Sequence, residues 1–293
     1  LQHEPNKKHL ILFKNLFNFS SWVELVQFIR KNKPNLVITQ LWFANTIGRV
    51  AARLAGVKPV ISFEQNVYDT VKTRKMFFVD RCLQFFSTRI IAVSEAVKKS
   101  LLAHGIQSRR IDVLYNSINL NKFTIPFNRI EVRGEWGIPD QAFLFIFVGR
   151  LIHQKAIDIL IEAFKEVDQE AFLLIVGQGE KREGLEQRVK EVGLEKRVIF
   201  AGVRNDIPKL LLSADCFILP SRYEGLPLVL TEALAAGIAI VASDFEAATE
   251  VVADGENGLV VPRENVVALT KAMQRIKGDA KLRFSLAAEA KLS

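Results

Sequence analysis

Apolar runs of strand length alternate with helix-period stretches through most of the chain, and this alternation constrains the fold more than any other feature. The run Phe143–Val148 reads Phe-Leu-Phe-Ile-Phe-Val, so it is apolar on both faces. Such a strand belongs in a parallel sheet that helices cover on both sides. Alternation of these strands with helices predicts α/β units joined by right-handed crossovers.

The pattern predicts two sets of these units. In the first half we expect strands at 35–40, 59–64, 89–94 and 111–116, with helices at 44–56, 73–87 and 95–105. In the second half we expect strands at 143–148, 172–176, 198–201, 216–219, 238–242 and 258–261, with helices at 156–167, 184–192, 207–214, 227–236 and 265–277. Ser94 is a predicted helix cap, and Gly56 and Gly105 are predicted helix ends.

The segment 116–137 separates the two sets. It contains four asparagines and Pro126 and has poor periodicity, which is typical of an interdomain linker. We therefore predict two Rossmann-like domains with doubly wound parallel sheets, at 1–125 and 126–293, facing a cleft. The chain opens at Leu1 without an obvious first strand, so we expect the first domain to be incomplete at its start.

Charge is distributed unevenly. Residues 1–140 contain 21 Lys and Arg against 10 Asp and Glu, whereas residues 141–293 contain 19 against 22. A basic first half suits an anionic membrane surface, a phosphorylated substrate or nucleic acid, or it is an ordinary solvated surface. We predict no nucleic-acid partner, because no recognition motif is present and basic residues are not clustered with aromatic ones along the sequence.

Cysteine content and hydropathy indicate where the protein acts. Two cysteines cannot form a disulfide framework, which favours a reducing compartment. No signal peptide opens the chain, and the longest apolar runs are shorter than the roughly 20 residues of a spanning helix. We expect a cytoplasmic protein, either free or peripheral on the inner face of the membrane.

The loops after the second-half strands are the first place to seek a site, because ligands bind beyond the carboxyl ends of strands in open α/β sheets. Gly149 and Arg150 follow the first of these strands, and Lys155 comes just before the next helix. The two cations could face one anion at that helix N-terminus, or they could be ordinary surface residues. Gly177 and Gly179 follow the next strand and form either a tight turn or a backbone that a nucleotide approaches closely.

A third loop carries two carboxylates around a helix start. Glu224 precedes Gly225, and Pro227 suits the first helical turn, where free N–H groups form an anion cradle. Glu232 has apolar neighbours, a setting in which a carboxylate needs a partner. Carboxylates on both sides of a phosphate cradle suit a nucleotide sugar, which has hydroxyls at both ends of a diphosphate. The alternative is a helix-start glutamate and one buried structural glutamate.

The segment from Glu224 to Glu232 resembles the E-x7-E motif of the retaining glycosyltransferases of family 4, which have the GT-B fold. The similarity extends over about residues 35–280 and includes several motifs in the family's order. These are Phe-Val-Gly-Arg-Leu-Ile-His-Gln-Lys at 147–155, Leu-Ile-Val-Gly-Gln-Gly at 174–179, Phe-Ala-Gly-Val-Arg at 200–204, the segments 234–243 and 257–261, and, in the first half, 91–95 and 113–116.

The resemblance implies transfer of a sugar from a nucleotide donor with retention of anomeric configuration, as a hexosyltransferase of polysaccharide or glycolipid synthesis. Arg150 and Lys155 would hold the diphosphate and replace the metal of other glycosyltransferases, Glu224 would contact the hexose, and Glu232 the ribose. No D-x-D motif, cofactor or metal site is expected. The partners would be a UDP-, GDP- or ADP-sugar and a saccharide or lipid-linked acceptor. The other residues that would line the donor pocket are Gly149, Gly177, Gly179, Val203, Arg204, Gly225, Leu226, Pro227 and Leu228.

Some positions depart from the family pattern. Ala156 and Ser117 stand where the family usually has glycine, and Glu64 stands where many members have histidine. Glu64 is a candidate contact of sugar or acceptor, or an ordinary strand-end glutamate. The family's early glycine-rich loop has no counterpart.

Two alternatives stay open: another GT-B enzyme such as a nucleotide-sugar epimerase, and a non-enzymatic two-lobed binding protein. A dinucleotide dehydrogenase is disfavoured, because Arg182 stands where the third glycine of its fingerprint belongs.

Overall fold

The computed structural model describes residues 9–13, 18–67 and 72–292. The chain divides into two compact units, Leu1–Tyr115 and Asn116–Ser293. The division falls ten residues before the expected boundary at 125/126. Residues after Tyr115 group with the second unit because the Asn116 side-chain amide donates to the Leu226 carbonyl oxygen at 2.9 Å, and the 3-10 turn Leu120–Phe123 packs against helices of that unit.

The first unit is a four-stranded parallel sheet with helices between its strands. The strand order is β1-β2-β3-β4, and the predicted strands are confirmed at these positions with shorter bounds. Ser94 caps its helix as predicted, since its hydroxyl accepts from the Val97 N–H at 3.2 Å. The elements are α1 (Phe19–Asn32), β1 (Val37–Gln40), α2 (Trp42–Leu54), β2 (Val60–Glu64), α3 (Arg74–Leu83), β3 (Arg89–Ala92), α4 (Glu95–Ala103) and β4 (Ile111–Val113).

Helix α1 was not predicted, although the sequence carries its signal. Asn18 accepts from the Ser21 N–H at the helix start, and the apolar residues that follow recur at helical spacing. Buried Ile29 packs with Ala51 and Ala52 of α2, so tertiary contact with α2 stabilises this helix.

The second unit is a six-stranded parallel sheet of order β10-β9-β8-β5-β6-β7. Helix α6 packs against α7 and α10, whereas α9 packs against α8 and α11. Phe145, Ile146 and Phe147 of the central strand β5 are fully buried, as a strand apolar on both faces requires. The elements are α5 (Arg129–Gly134), β5 (Phe143–Val148), α6 (Ile157–Lys165), β6 (Ala171–Val176), α7 (Arg182–Glu191), β7 (Val198–Gly202), α8 (Ile207–Ser213), β8 (Cys216–Leu219), α9 (Leu228–Ala236), β9 (Ala239–Ser243), β10 (Leu259–Val261), α10 (Val266–Gly278) and α11 (Ala280–Leu292).

Helices α5 and α11 also lie outside the predicted elements. Helix α5 falls in the predicted linker, and Arg133 anchors it to the second unit. This buried guanidinium donates to the Ser213 and Ala142 carbonyl oxygens at 2.9 and 2.7 Å and pairs with Asp215 at 2.8 Å. The linker is therefore held by a buried charged network.

None of the helices in the described residues is long and apolar enough to cross a bilayer.

The winding of the second sheet reverses between β5 and β8. The chain enters at β5, adds β6 and β7 on one side, and then crosses back to add β8, β9 and β10 on the other. In open α/β sheets, ligands bind at the carboxyl ends of the strands where the winding reverses. The loops that carry Lys155 and Glu224 follow these two strands.

Candidate active site

Lys155 and Glu224 meet where the winding reverses. Lys155 ends the 3-10 turn that follows β5, and Glu224 lies in the loop between β8 and α9. The Lys155 Nζ to Glu224 Oε1 distance is 2.5 Å, and each side chain is 9% exposed. Because little water screens the pair, their attraction is stronger than that of a surface ion pair. The structure therefore brings together a cation and a carboxylate that are 69 positions apart in the sequence.

Two neutral side chains complete the surroundings of the Glu224 carboxylate. The Gln154 amide donates to Oε2 at 3.1 Å and to the Tyr223 carbonyl oxygen at 2.8 Å. The Ser221 hydroxyl donates to Oε1 at 3.0 Å, and Ser243 in turn donates to the Ser221 carbonyl oxygen at 2.5 Å. The carboxylate is therefore fixed by three donors from two loops. Sequence reasoning missed Gln154 and Ser221, whose only signal was their position beside the predicted residues.

Arg222 lies in the loop after β8 and links that loop to the loop after β5. The sequence analysis did not predict this role. The Arg222 guanidinium donates to the His153 carbonyl oxygen at 2.5 Å and pairs with Asp158 and Glu264, each at 2.9 Å. Its backbone N–H donates to the Gln154 carbonyl oxygen at 2.8 Å. These contacts hold the loop after β5 against the loop after β8, and they therefore help to keep Lys155 beside Glu224.

Ala156 explains one departure from the family pattern. It links the 3-10 turn to α6 with φ 50° and ψ 40°, in the left-handed region that favours glycine. The residue is fully buried. The left-handed backbone of this turn therefore explains why the family usually has glycine at this position. In this chain alanine adopts the same left-handed conformation under strain.

Gly177 and Gly179 are required by the protein's own backbone. A Cβ on Gly177 would lie 1.9 Å from the Gly149 carbonyl oxygen, and its φ is +136°. A Cβ on Gly179 would lie 2.4 Å from the Leu151 carbonyl oxygen. The loops after β5 and β6 thus pack too closely for any side chain at either position. Contact of these glycines with a donor stays a prediction.

The N-terminus of α9 lies directly after Glu224 and Gly225. Pro227 is the residue before the first helical one, with φ −71° and ψ 127°. Leu226 is buried, whereas Leu228 is half-exposed. The first N–H groups of a helix have no intrahelical acceptor and carry its positive dipole end, so this helix start can accept an anion.

Glu232 lies in the second turn of α9 and is half-buried. Burial raises the pKa of this carboxyl above its ordinary value, and the charge of Lys122 opposes the shift. Among the described residues, no cation forms an ion pair with Glu232. The structure thus places a carboxylate with a raised proton affinity eight positions after Glu224.

Arg150 and Arg204 differ in how their charges are balanced. The Arg204 guanidinium binds both carboxylate oxygens of Asp206, at 2.8 and 2.6 Å, and that of Glu135 at 3.1 Å. The Arg150 side chain is exposed and has no ion pair within the described part of the chain. Val203, beside Arg204, is 70% exposed. Of these two arginines, Arg150 therefore has its charge available for an anion.

Glu64, the candidate in the first unit, has internal partners. Its carboxylate accepts from the Asn45 amide at 2.9 Å and from the Lys72 ammonium at 3.2 Å. Lys72 also pairs with Asp80 at 2.8 Å, and Asp80 pairs with Arg49 at 2.7 Å. Burial raises the pKa of Glu64, against the opposing effect of Lys72. This network gives Glu64 a structural role, and contact with sugar or acceptor stays a prediction.

Comparison with known proteins identifies the fold and the family. Two α/β units, each with a parallel sheet, are the architecture of GT-B glycosyltransferases. The family model described as Glycosyl transferases group 1 matches residues 128–293, more than half of the chain. The model Glycosyltransferase Family 4 matches residues 2–122. The chain therefore belongs to the family Glycosyl transferases group 1, which confirms the resemblance.

Several relatives cover nearly the whole chain. An Escherichia coli UDP-Gal:alpha-D-GlcNAc-diphosphoundecaprenol alpha-1,3-galactosyltransferase is 28% identical over 285 residues, which cover 93% of this chain and 73% of that protein. The capsular polysaccharide biosynthesis glycosyltransferase CapM of Staphylococcus aureus is 25% identical over 96% of this chain and 77% of its own length. The crystal structure of Anabaena Alr3699/HepE in complex with UDP and glucose shares the fold, with a TM-score of 0.88 at 24% identity over 93% of this chain and 76% of that one.

Proposed function

We propose that this protein transfers a sugar from a nucleotide-sugar donor to a saccharide or lipid-linked acceptor, with retention of anomeric configuration and without a metal ion. The observation that carries the proposal is the buried contact of Lys155 with Glu224 where the winding of the second sheet reverses. Lys155 lies in the loop after β5, and α9 begins directly after the loop that follows β8. Both can face the negative charge of a nucleotide diphosphate bound at this edge of the sheet.

The cations act on the leaving nucleotide. As the glycosidic bond breaks, negative charge grows on the diphosphate, and fixed cations there lower the barrier most when they need no rearrangement. Lys155 is fixed by Glu224, and an ammonium has two further N–H donors for phosphate oxygens. Exposed Arg150 supplies a second cation. This pair would supply the charge that a metal supplies in other glycosyltransferases.

The carboxylates orient the two ends of the donor. Glu224 accepts from hexose hydroxyls, and Glu232, eight positions along, accepts from the ribose. Both roles rest on the family resemblance and agree with the placement of the two carboxylates around the start of α9. The remaining predicted donor contacts are Gly149, Gly177, Gly179, Val203, Arg204, Gly225, Leu226, Pro227 and Leu228.

The acceptor is proposed from the relatives. The E. coli enzyme is named for a saccharide diphosphoundecaprenol, and CapM for capsular polysaccharide synthesis. We infer an acceptor of the same chemistry, a saccharide carried on a lipid diphosphate, with transfer in the cytoplasm or at the inner face of the membrane. Glu64 is the proposed acceptor-side contact in the first unit.

A thermal-shift screen with UDP-, GDP- and ADP-sugars tests donor binding, with UDP-galactose and UDP-glucose first. Transfer to a saccharide diphosphate lipid, followed by NMR of the new glycosidic bond, tests retention. The same assay in EDTA tests metal independence. We expect stabilisation by one donor class, the donor's own anomeric configuration in the product, and an unchanged rate in EDTA.

Each other outcome contradicts a defined part of the proposal. An epimerised free donor would identify a nucleotide-sugar epimerase. Tight donor binding without transfer to any acceptor would favour a binding protein. An inverted product would exclude retention, and loss of the rate in EDTA would show that a metal is needed.

A further inference from the structure

A hollow of about 540 Å³ lies at the amino ends of strands β2, β3 and β4 in the first sheet. Lys58 comes just before β2, Thr88 directly before β3 and Arg110 directly before β4. Arg53, from the last turn of α2, and Phe85 also line the hollow. We call this site the amino-edge hollow. Because the strands are parallel, it lies at the opposite edge of the sheet from the loops that follow them.

Positive charge in the amino-edge hollow is not neutralised. Its three cations are Arg53, Lys58 and Arg110, and no acidic side chain of the described residues lines it. None of the three forms an ion pair with a described residue, whereas Arg49 and Lys72 of the same unit pair with buried carboxylates. The three like charges repel one another, and an anion bound among them removes that repulsion.

Backbone carbonyls fix the two guanidiniums without neutralising them. Arg110 Nη1 donates to the Ser87 and Gln84 carbonyl oxygens at 3.1 and 3.4 Å, and its Cζ lies 5.0 Å from the centre of the Phe85 ring. Arg53 Nη2 donates to the Phe85 carbonyl oxygen at 3.4 Å. A guanidinium has five N–H donors, and the buried Nε of Arg110 has no acceptor in the described part of the chain. Both groups are therefore held in place with donors to spare, which lowers the ordering cost of binding.

Thr88 adds a neutral donor to these cations. Its hydroxyl oxygen accepts from the Val60 N–H at 3.1 Å, which leaves the hydroxyl proton for a ligand. Guanidiniums match the geometry of phosphate oxygens, and a phosphate dianion balances more of this charge than a single carboxylate does. The volume of the hollow is within the roughly 300–1,000 Å³ of small-molecule sites, so an organic group fits beside the phosphate.

We propose that the amino-edge hollow binds a soluble phosphate ester. The phosphate group lies among Arg53, Lys58 and Arg110 and accepts from the Thr88 hydroxyl. The organic group lies beside Phe85, whose side chain is 47% exposed. All of these residues belong to the first unit, whereas the candidate active site belongs to the second. The inference therefore does not rest on the proposed glycosyl transfer.

Titration of the 293-residue chain with ribose 5-phosphate and with inorganic phosphate, followed by phosphorus NMR, tests the proposal. We expect a Kd of about 1 mM or lower for ribose 5-phosphate, at least as tight as for phosphate, and no displacement by uncharged ribose. Lys58→Met and Arg53→Met should each weaken binding about tenfold, since each removes one charge-assisted contact. Lys58 is exposed, so its replacement keeps the test valid even where Arg53→Met destabilises the fold.

Two controls match these variants in residue type and charge. Lys99→Met and Arg74→Met each remove one cation from an exposed helical position of the first unit that does not line the hollow. Both should bind ribose 5-phosphate within about twofold of the unmodified chain, because solvent and salt screen distant surface charges. Unchanged thermal unfolding shows that each variant is folded.

Several results would overturn the proposal. These are no binding of ribose 5-phosphate, tighter binding of inorganic phosphate than of the ester, and an equal loss of affinity in the controls. Binding that Lys155→Met abolishes and Lys58→Met leaves intact would place the phosphate in the second unit. Binding of phosphatidylglycerol vesicles that Lys58→Met weakens, without binding of ribose 5-phosphate, would assign the hollow to a lipid headgroup instead.

Discussion

The Lys155 ammonium and the Glu224 carboxylate form an ion pair of 2.5 Å in which each side chain is 9% exposed. Removing one member of a buried pair leaves the other charge without a partner in a poorly solvated site, which costs about 3–5 kcal/mol. Replacing both members by neutral side chains of similar size avoids that cost. Function and stability can therefore be separated at this pair.

Lys155→Met should lower turnover by about 10²-fold or more, by analogy with removal of one fixed donor at a developing charge. It should also lower the free energy of unfolding by about 3 kcal/mol, because Glu224 is left buried and charged. The double variant Lys155→Met/Glu224→Gln should recover at least half of the lost stability and none of the turnover. Urea unfolding and a transfer assay measure both quantities.

Arg150→Ala is the matched comparison. Its side chain is exposed and is not held by an ion pair in the described residues, so unfolding should change by no more than about 0.5 kcal/mol. Turnover should still fall about 10²-fold. A Lys155→Met variant as stable as Arg150→Ala would contradict the argument that the pair is buried and coupled.

Gln154 should act through Glu224 as a positioning residue. Gln154→Glu keeps the shape of the side chain, replaces the donating amide by an acceptor and places a like charge 3.1 Å from the Glu224 carboxylate. We expect about tenfold lower turnover with affinity for UDP alone unchanged, since the proposed contact of Glu224 is with the hexose. Calorimetry with UDP and steady-state kinetics separate these effects.

Gln274→Glu is the control for Gln154. The Gln274 amide donates to the Glu166 carbonyl oxygen at 2.8 Å on an exposed part of α10, away from the candidate site. Its turnover should be unchanged. Retention of full turnover by Gln154→Glu would show that the amide only fills space.

Ala156 stores strain that glycine would relieve. Ala156 and Ala163 are both fully buried, but Ala156 is left-handed whereas Ala163 lies within helix α6. Both lose a methyl group on change to glycine. Ala163→Gly also places glycine inside a helix, which costs about 1 kcal/mol, whereas Ala156→Gly relieves a left-handed backbone worth about 1–2 kcal/mol. Chemical unfolding should therefore show Ala156→Gly to be more stable than Ala163→Gly by about 2–3 kcal/mol. A difference of only about 1 kcal/mol would mean that no strain is present.

Glu232 should make stability depend on pH. Burial raises its pKa above the ordinary value of 4.5, so the charged form is disfavoured in the folded state. The protonated Glu232 carboxyl therefore stabilises the folded state relative to the charged form. This stabilisation is fully present below the ordinary pKa and is lost as pH rises through the folded-state pKa. Glu232→Gln should therefore match the unmodified chain near about pH 4 and become relatively more stable toward about pH 7. Urea midpoints across this range measure the trend, and the opposite slope would reveal a stabilising partner of the carboxylate.

The sequence predicted the strands better than the contacts between them. Strands β5 and β8 have the predicted bounds because each is an apolar run with polar residues or loop signals at both ends. Helix α5 was not predicted because Arg133 holds it in place. One partner of Arg133 is Asp215, which is 82 positions away in the sequence. Buried polar anchoring of this kind leaves no periodic apolar pattern in the sequence.

The site was predicted residue by residue but not as a network. The candidates Lys155 and Glu224 came from their separate loops, and their pairing depends on β8 lying beside β5, which strand order in the sequence does not reveal. The donors Gln154 and Ser221 follow from the same adjacency. The glycine positions were found, whereas the neighbouring backbone that requires them appears only in three dimensions.

In the proposed donor pocket, the close approach of Gly177 to the Gly149 carbonyl oxygen limits how donor preference can be engineered. A library that randomises position 177 should return glycine alone among folded clones, since any Cβ there would lie 1.9 Å from that oxygen. The loop that carries Arg150 is thus closed to redesign from this direction. Variation has room at the proposed donor contact Val203, whose side chain is 70% exposed.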